Sequence, residues 1–199
     1  MRAPLSWLAE YAALPPELDG RALAEAFVGA GLEVESVEQA GADVSGPLVI
    51  GRVLSAEREE HSNGKAINWC RVDVGDHNHA AADDQSASPP NAVGTPSRGI
   101  VCGAHNFGAG DFVVVALPGA VLPGDFRIAA RKTYGHVSDG MICSARELGL
   151  GDDHEGILVL TEPDLVPGSD AAAVLHLRES VLDVDVTPDR GYCLSVRGL

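Results

Sequence analysis

The sequence predicts a mainly β protein: a small five-stranded closed barrel or sandwich inserted into a discontinuous α+β domain made from both chain ends. Three observations carry this expectation. From Leu48 onward, five strand-like runs follow one another within about 90 residues, with little helix between them. The first 40 residues instead show helical periodicity. The last 50 or so are as short as the first 40, and segments of that size rarely stabilise themselves alone, so the two ends should pack together.

At the start, Ser6 is placed to cap a short helix carrying Trp7, Leu8 and Tyr11, which Pro15-Pro16 ends. Asp19 is placed to cap a second helix whose apolar residues Leu23, Ala26, Phe27 and Ala30 follow helical spacing. Gly31 sits where a left-handed C-terminal cap belongs, and Leu32–Val37 then alternates like a half-buried strand. The five barrel runs are 48–57, 67–75, 99–104, 111–119 and 125–135. Between the second and third, His77–Ser97 is rich in Ala, Ser, Pro, Asp and Asn, which cannot bury enough surface to repay ordering, so a mobile loop is expected. Its His77-Asn78-His79 offers too few ligands for a metal. Ser144 and Glu147 have the spacing of a capping box, predicting a short helix that ends at Gly149. Beyond Gly151, residues 157–160 read as a strand, Asp170 as the cap of a helix, and 181–187 as an alternating strand. The expected domains are therefore 1–42 with 151–199, and 43–150 with a flexible loop at 77–97.

Composition narrows the function. No apolar run approaches the roughly 18 residues of a membrane helix, and Glu10, Glu17 and Asp19 interrupt the N-terminal stretch where an export signal would be apolar. A cytoplasmic location is the expectation. Cys70, Cys102, Cys143 and Cys193 form no Cys-x-x-Cys pair, which argues against zinc and for buried free thiols. The net charge of −15 is uneven: Leu48–Leu150 holds 11 acidic and 9 basic residues, and the remainder 18 and 5. Arg127, Arg131, Lys132 and Arg146 form a modest basic group, enough for weak or assisted contact with RNA phosphates. There is no Gly-x-Ser-x-Gly, phosphate loop or His-Glu-x-x-His, so no catalytic site is expected. Asp152–Glu155 lies at a Gly-bounded junction and reads as structural or capping, and Asp73 and Asp185 read as polar positions of alternating strands.

Longer blocks carry a resemblance. GLEVESVE (31–38), IVCGAHN (100–106), VVVALPGAVLPGDFRI (113–128), VSDGMICSARELGLGDDHEGILVL (137–160) and LDVDVTPDRGYCLS (182–195) occur in order. Together they resemble the N-terminal region of bacterial phenylalanyl-tRNA synthetase beta subunits, and the middle is similar to the wider tRNA-binding OB-fold family. The resemblance implies a five-stranded OB-fold barrel enclosed by the flanking α+β domain, in a natural protein that continues past Leu199. It implies a non-catalytic accessory module of the ligase, with tRNA, the rest of the beta subunit and the catalytic alpha subunit as partners, and neither membrane nor DNA. It implies no cofactor in this region; ATP and Mg²⁺ belong to the parent enzyme's alpha subunit. The matching RNA-facing positions are Asn106, Ser138, Gly140 and Met141, with Arg131 and Lys132 on the preceding strand and Lys65 in an outward loop. Asn and Ser can bond base edges or 2′-hydroxyls, Met can stack, and Arg and Lys can pair with phosphate. Two other readings are a structural or assembly module with little RNA contact, and a free-standing tRNA-binding protein.

Overall fold

The computed structural model describes residues 1–41, 43–61, 64–78 and 96–199. The N-terminal segment carries β1 (Arg2–Pro4), α1 (Leu5–Ala9), α2 (Gly20–Gly29) and β2 (Glu33–Ala40). The middle carries β3 (Leu48–Glu60), β4 (Ala66–Asp73), β5 (Arg98–Cys102), β6 (Phe112–Ala116), β7 (Val121–Leu122), β8 (Phe126–Arg127), β9 (Arg131–Thr133), β10 (His136–Ser138), β11 (Met141–Ile142), β12 (Val159–Leu160) and α3 (Ala171–Val174). The C-terminal segment carries β13 (Glu179–Asp185) and two short 3-10 turns. The chain divides into two compact units, Met1–Ala42 with His176–Leu199, and Asp43–Leu175.

The unit built from the chain ends is a three-stranded antiparallel sheet, β1-β13-β2, packed on α1 and α2. Leu8, Leu23, Phe27, Leu32, Leu182 and Val184 form its core. Asp19 caps α2 as its position predicts, accepting the Ala22 N–H at 2.8 Å. At the other end, Leu32 N–H reaches the Phe27 carbonyl and Gly31 N–H the Val28 carbonyl, both at 2.9 Å, a Schellman closure. Arg190 adds a bond to the Ala30 carbonyl at 3.1 Å. Two expectations differ. Ser6 does not cap α1, whose N-cap is Pro4; its N–H and hydroxyl donate to the Glu179 carboxylate at 2.6 and 2.9 Å, so the side chain serves a distant carboxylate instead of accepting a local backbone N–H. The strand β2 is an edge strand and almost wholly exposed, with Val34 alone packed against the core and Val37 facing outward.

The second unit is a nearly closed five-strand antiparallel barrel with an OB-type order, β11-β6-β3-β4-β5. The 13-residue β3 serves two neighbours: Leu48–Arg52 pairs with β6 and Arg52–Glu60 with β4, with a register shift between Val53 and Ser55. Closure comes where β10 runs into β11. Asp139 N–H donates to the Gly99 carbonyl at 2.9 Å, and Val101 N–H to the Ser138 hydroxyl at 3.0 Å, tying this segment to β5. Val49, Val53, Val72, Ile100, Val113 and Val115 fill the interior, the alternating inward set of each strand.

The barrel corrects the sequence reading in three places. The run 125–135 is not the fifth barrel strand. It breaks into β8, paired with β7, and β9, paired with β10, and the segment from His136 to Ile142 takes the fifth position. Secondly, the capping box forms without a helix: Ser144 N–H and hydroxyl donate to Glu147 at 2.7 and 2.8 Å, yet the chain makes only turns to Gly149. Thirdly, the expected domain boundary at 150/151 falls inside this unit. The strand β12 pairs with β6, Ile50 exchanges backbone bonds with Ser169 and Gly168, and Asp170 bridges Val49 while accepting the Ala172 N–H as the cap of α3. This moves the acids of 151–175 onto the barrel, so that Asp43–Leu175 holds 18 acidic and 9 basic residues.

Asp73 does more than occupy a polar strand position. Its carboxylate accepts from Gly75 N–H at 2.9 Å and Asn78 Nδ2 at 2.6 Å. Arg71 bonds both the hydroxyl and the carbonyl of Ser97 at 3.1 Å. Asn78 and Ser97 are thereby tied to β4, and the His77 carbonyl accepts from Arg98 Nε of β5 at 2.6 Å, while the rest of the expected loop, with His79, lies outside the described residues. No helix is long and apolar enough to cross a membrane among the described residues.

Candidate nucleic-acid interface

Two small hairpins shape one face of the barrel. In β7–β8 the turn passes through Gly124 and Asp125, both with positive φ, and sets Phe126 on an exposed strand. In β9–β10 the two turn residues are Tyr134 (φ 51°) and Gly135 (φ 87°), the mirror-image turn whose twist matches paired strands. Phe126 remains 44% exposed. It borders a groove of about 710 Å³ whose other walls are Val101–Ala104, Met141–Ile142, Arg146 and His154–Ile157. A smaller hollow of about 160 Å³, lined by Arg127, Arg131, Thr133, Ser138 and Gly140, shares Val101, Phe126 and Met141 with it.

The β9–β10 hairpin is anchored firmly. The His136 ring stacks on Trp69, with centroids 4.2 Å apart and planes 13° from parallel. Its Nε2 lies 3.0 Å from both carboxylate oxygens of Glu59. Across the same carboxylate, His61 Nε2 is 3.6 Å away, beyond hydrogen-bonding reach, and the His61 ring packs on Tyr134 at 4.7 Å. Lys65 belongs to this corner, since His61 N–H donates to its carbonyl at 3.0 Å.

The residues singled out from sequence separate into two kinds. Arg131, Ser138, Gly140 and Met141 converge on the grooves. Among them, Ser138 is buried and already committed, accepting from Val101 N–H and donating to the Gly140 carbonyl, both at 3.0 Å. Gly140 has φ 134°, and a Cβ there would sit 3.0 Å from the Ala116 carbonyl, so it shapes the strand kink rather than offering a group. Met141 is half-buried with its side chain on the groove wall. Arg131 and Lys132 are exposed, and alternation along β9 places Lys132 with Val137 on the opposite face from Arg131 and Ser138. Lys65 is exposed in the β3–β4 turn. Asn106 lines neither groove: its Nδ2 donates to the Ile157 carbonyl at 2.9 Å and its Oδ1 accepts from Ile157 N–H at 3.0 Å.

Sequence reasoning passed over Phe126 and the Glu59–His136–Trp69 clamp. Phe126 had a signal, an aromatic residue directly after the Gly124-Asp125 turn. The clamp had none, because its members are far apart in the chain and meet only through barrel pairing. Arg127 is ion-paired with Asp125 at 2.9 Å, whereas Arg131, Lys132 and Arg146 have no ion-pair partner among the described residues. Asp152–Glu155 forms a self-bonded turn, with Glu155 N–H on Asp153 at 3.1 Å and His154 Nδ1 at 3.0 Å from the Asp152 carbonyl. The four cysteines are free and buried. Burial pushes the Cys70 and Cys143 thiols up to about 12 and raises Cys102 as well, which leaves them protonated and unreactive at neutral pH.

Comparison with known proteins identifies the family. A family model described as "Putative tRNA binding domain" matches residues 48–170. Over its whole length the chain is also similar to proteins named phenylalanine–tRNA ligase beta subunit. It is 58% identical to that of Thermobifida fusca (strain YX) over 199 residues, 22% of that protein. Against the Streptomyces avermitilis protein it is 54% identical over 199 residues, again 22% of the relative. With the Tropheryma whipplei (strain Twist) protein the identity is 39% over 236 residues, covering all of this chain and 24% of the relative. The chain thus spans less than a quarter of the length of these relatives. Because the family model covers more than half of its length, the chain belongs to the family of tRNA binding domains.

Proposed function

We propose that this chain is a non-catalytic tRNA-binding module of a phenylalanine–tRNA ligase beta subunit, touching tRNA through the hairpin that carries Arg131 and Lys132. What supports the reading is the pairing of two exposed cations, without ion-pair partners among the described residues, with a clamped hairpin that holds them in place. Pre-organised cations lose little entropy on meeting phosphate, so even two give a usable contact. The partners are tRNA, the rest of the beta subunit and the catalytic alpha subunit. On this reading the ATP and Mg²⁺ of the ligase reaction belong to the other parts of the parent enzyme.

Binding of a tRNA transcript over a salt series tests this. Affinity should be weak and should fall steeply with salt. The double reversal Arg131→Glu/Lys132→Glu should lower it at least about tenfold and flatten the log–log salt slope by about 1–2. The excess of 18 acidic over 9 basic residues in the barrel unit favours a second reading, a bracing module that repels polyanions. Unchanged affinity in the double reversal would select that reading.

A further inference from the structure

The groove beside Phe126 has features that phosphate pairing does not use. An aromatic ring stands 44% exposed at the junction of two hollows, with the flexible Met141 beside it. A single exposed apolar side chain is ordinary on a protein surface, but burial of this ring is favourable wherever a partner enters the groove. The charge around it is graded. Arg127 and Arg131 line the smaller hollow; Arg146, Glu147, His154 and Glu155 line the larger one, and Glu147 is held by its bonds to Ser144. A phosphate therefore fits the Arg131 end and a neutral base the middle. The larger hollow, at about 710 Å³, is within the roughly 300–1,000 Å³ of sites that hold a small ligand.

We infer that this groove receives an unpaired nucleotide of RNA, its base stacked against Phe126 and Met141 and its phosphate turned toward Arg131. A base exposes its face to a side chain only when it leaves the helical stack, so the site would discriminate single-stranded from duplex RNA. The inference rests on the tRNA-binding reading and narrows it to loops or ends of the RNA.

The chain contains two methionines, Met1 and Met141, and Met1 belongs to the other unit, so methyl-labelled methionine gives a local probe with an internal control. Titration with a single-stranded RNA of about six nucleotides should move the Met141 methyl signal and leave that of Met1 in place. A duplex of the same length should move neither. Phe126→Ala should weaken single-strand binding about tenfold, with Phe126→Tyr restoring it. Urea midpoints for both variants check that each is folded. Equal response to duplex RNA, or undiminished binding by folded Phe126→Ala, overturns the inference. If tRNA binding persists and depends on Arg131 and Lys132 but not on Phe126, only the groove is refuted. If no tRNA binds at all, the broader reading falls with it.

Discussion

Asn106 shows how one side chain can be polar, exposed and yet spoken for. Its amide reproduces both bonds of a strand pair with Ile157, leaving one N–H and one oxygen lone pair for anything else. Ser138 is likewise consumed in closing the barrel. The thiols make the opposite point, that burial alone can set a residue's chemistry. In the unfolded chain Cys70 and Cys143 ionise near the ordinary value of 9.0, whereas in the folded chain they stay neutral up to about 12. Their folded values are raised, so the unfolded state binds fewer protons between these limits. Stability should hold below pH 9 and fall above it, by about 1.4 kcal/mol per pH unit and thiol. Urea melts near pH 8 and about pH 10 check the slope; Cys70→Ala and Cys143→Ala should each flatten it.

At the scale of elements, the β9–β10 hairpin is the part that carries Arg131 and Lys132, the cations proposed to meet RNA. It has only three residue pairs of its own, too few to hold its shape in water. The stack of His136 on Trp69 and the bonds to Glu59 supply what the ladder lacks. Replacing His136 by Ala should cost about 1–2 kcal/mol of stability, given the partial exposure of the pair. Hydrogen exchange provides the sharper readout: amides of β9 and β10 should exchange faster while those of β3 and β6 stay protected. Uniform loss of protection would mean the clamp supports the whole barrel instead. This element was only half legible. Its turn chemistry is local and readable at Tyr134-Gly135, but the run 125–135 is apolar and basic enough to pass for one long strand, and only pairing shows it divided.

At the scale of the molecule, the boundary of the barrel unit is set by strand pairing and not by where the composition turns acidic. Residues 151–175 contribute β12, the Ser169 and Gly168 bonds to Ile50, and the Asp170 bridge to Val49. A chain of residues 43–175 should therefore fold alone, with a cooperative urea transition. One ending at residue 150 should not, because β6 would lose a partner and Val49 and Ile50 would lose their cover. Circular dichroism and denaturation of both fragments decide it; a cooperative 43–150 fragment would contradict the assignment. The same boundary sets the proposed RNA-facing hairpin on an acidic unit, so the proposal requires its affinity to come from local geometry.

Local signals decided a good deal unaided. The caps at Asp19, Gly31 and Asp170, the buried thiols and four of the five barrel strands depend on residues close in the chain, where spacing and turn chemistry act directly. The order of the blocks also established the resemblance to a tRNA-binding family. What tertiary structure alone decided was which fifth strand closes the barrel, which polar candidates are already bonded, and where the unit ends. Each depends on competition between partners distant in sequence: Glu179 against a local cap for Ser6, Ile157 against solvent for Asn106, and Ser138 with Asp139 against the run 125–135 for the edge of β5. Such contests are settled by which groups the folded backbone brings within hydrogen-bonding reach, and no local pattern records that.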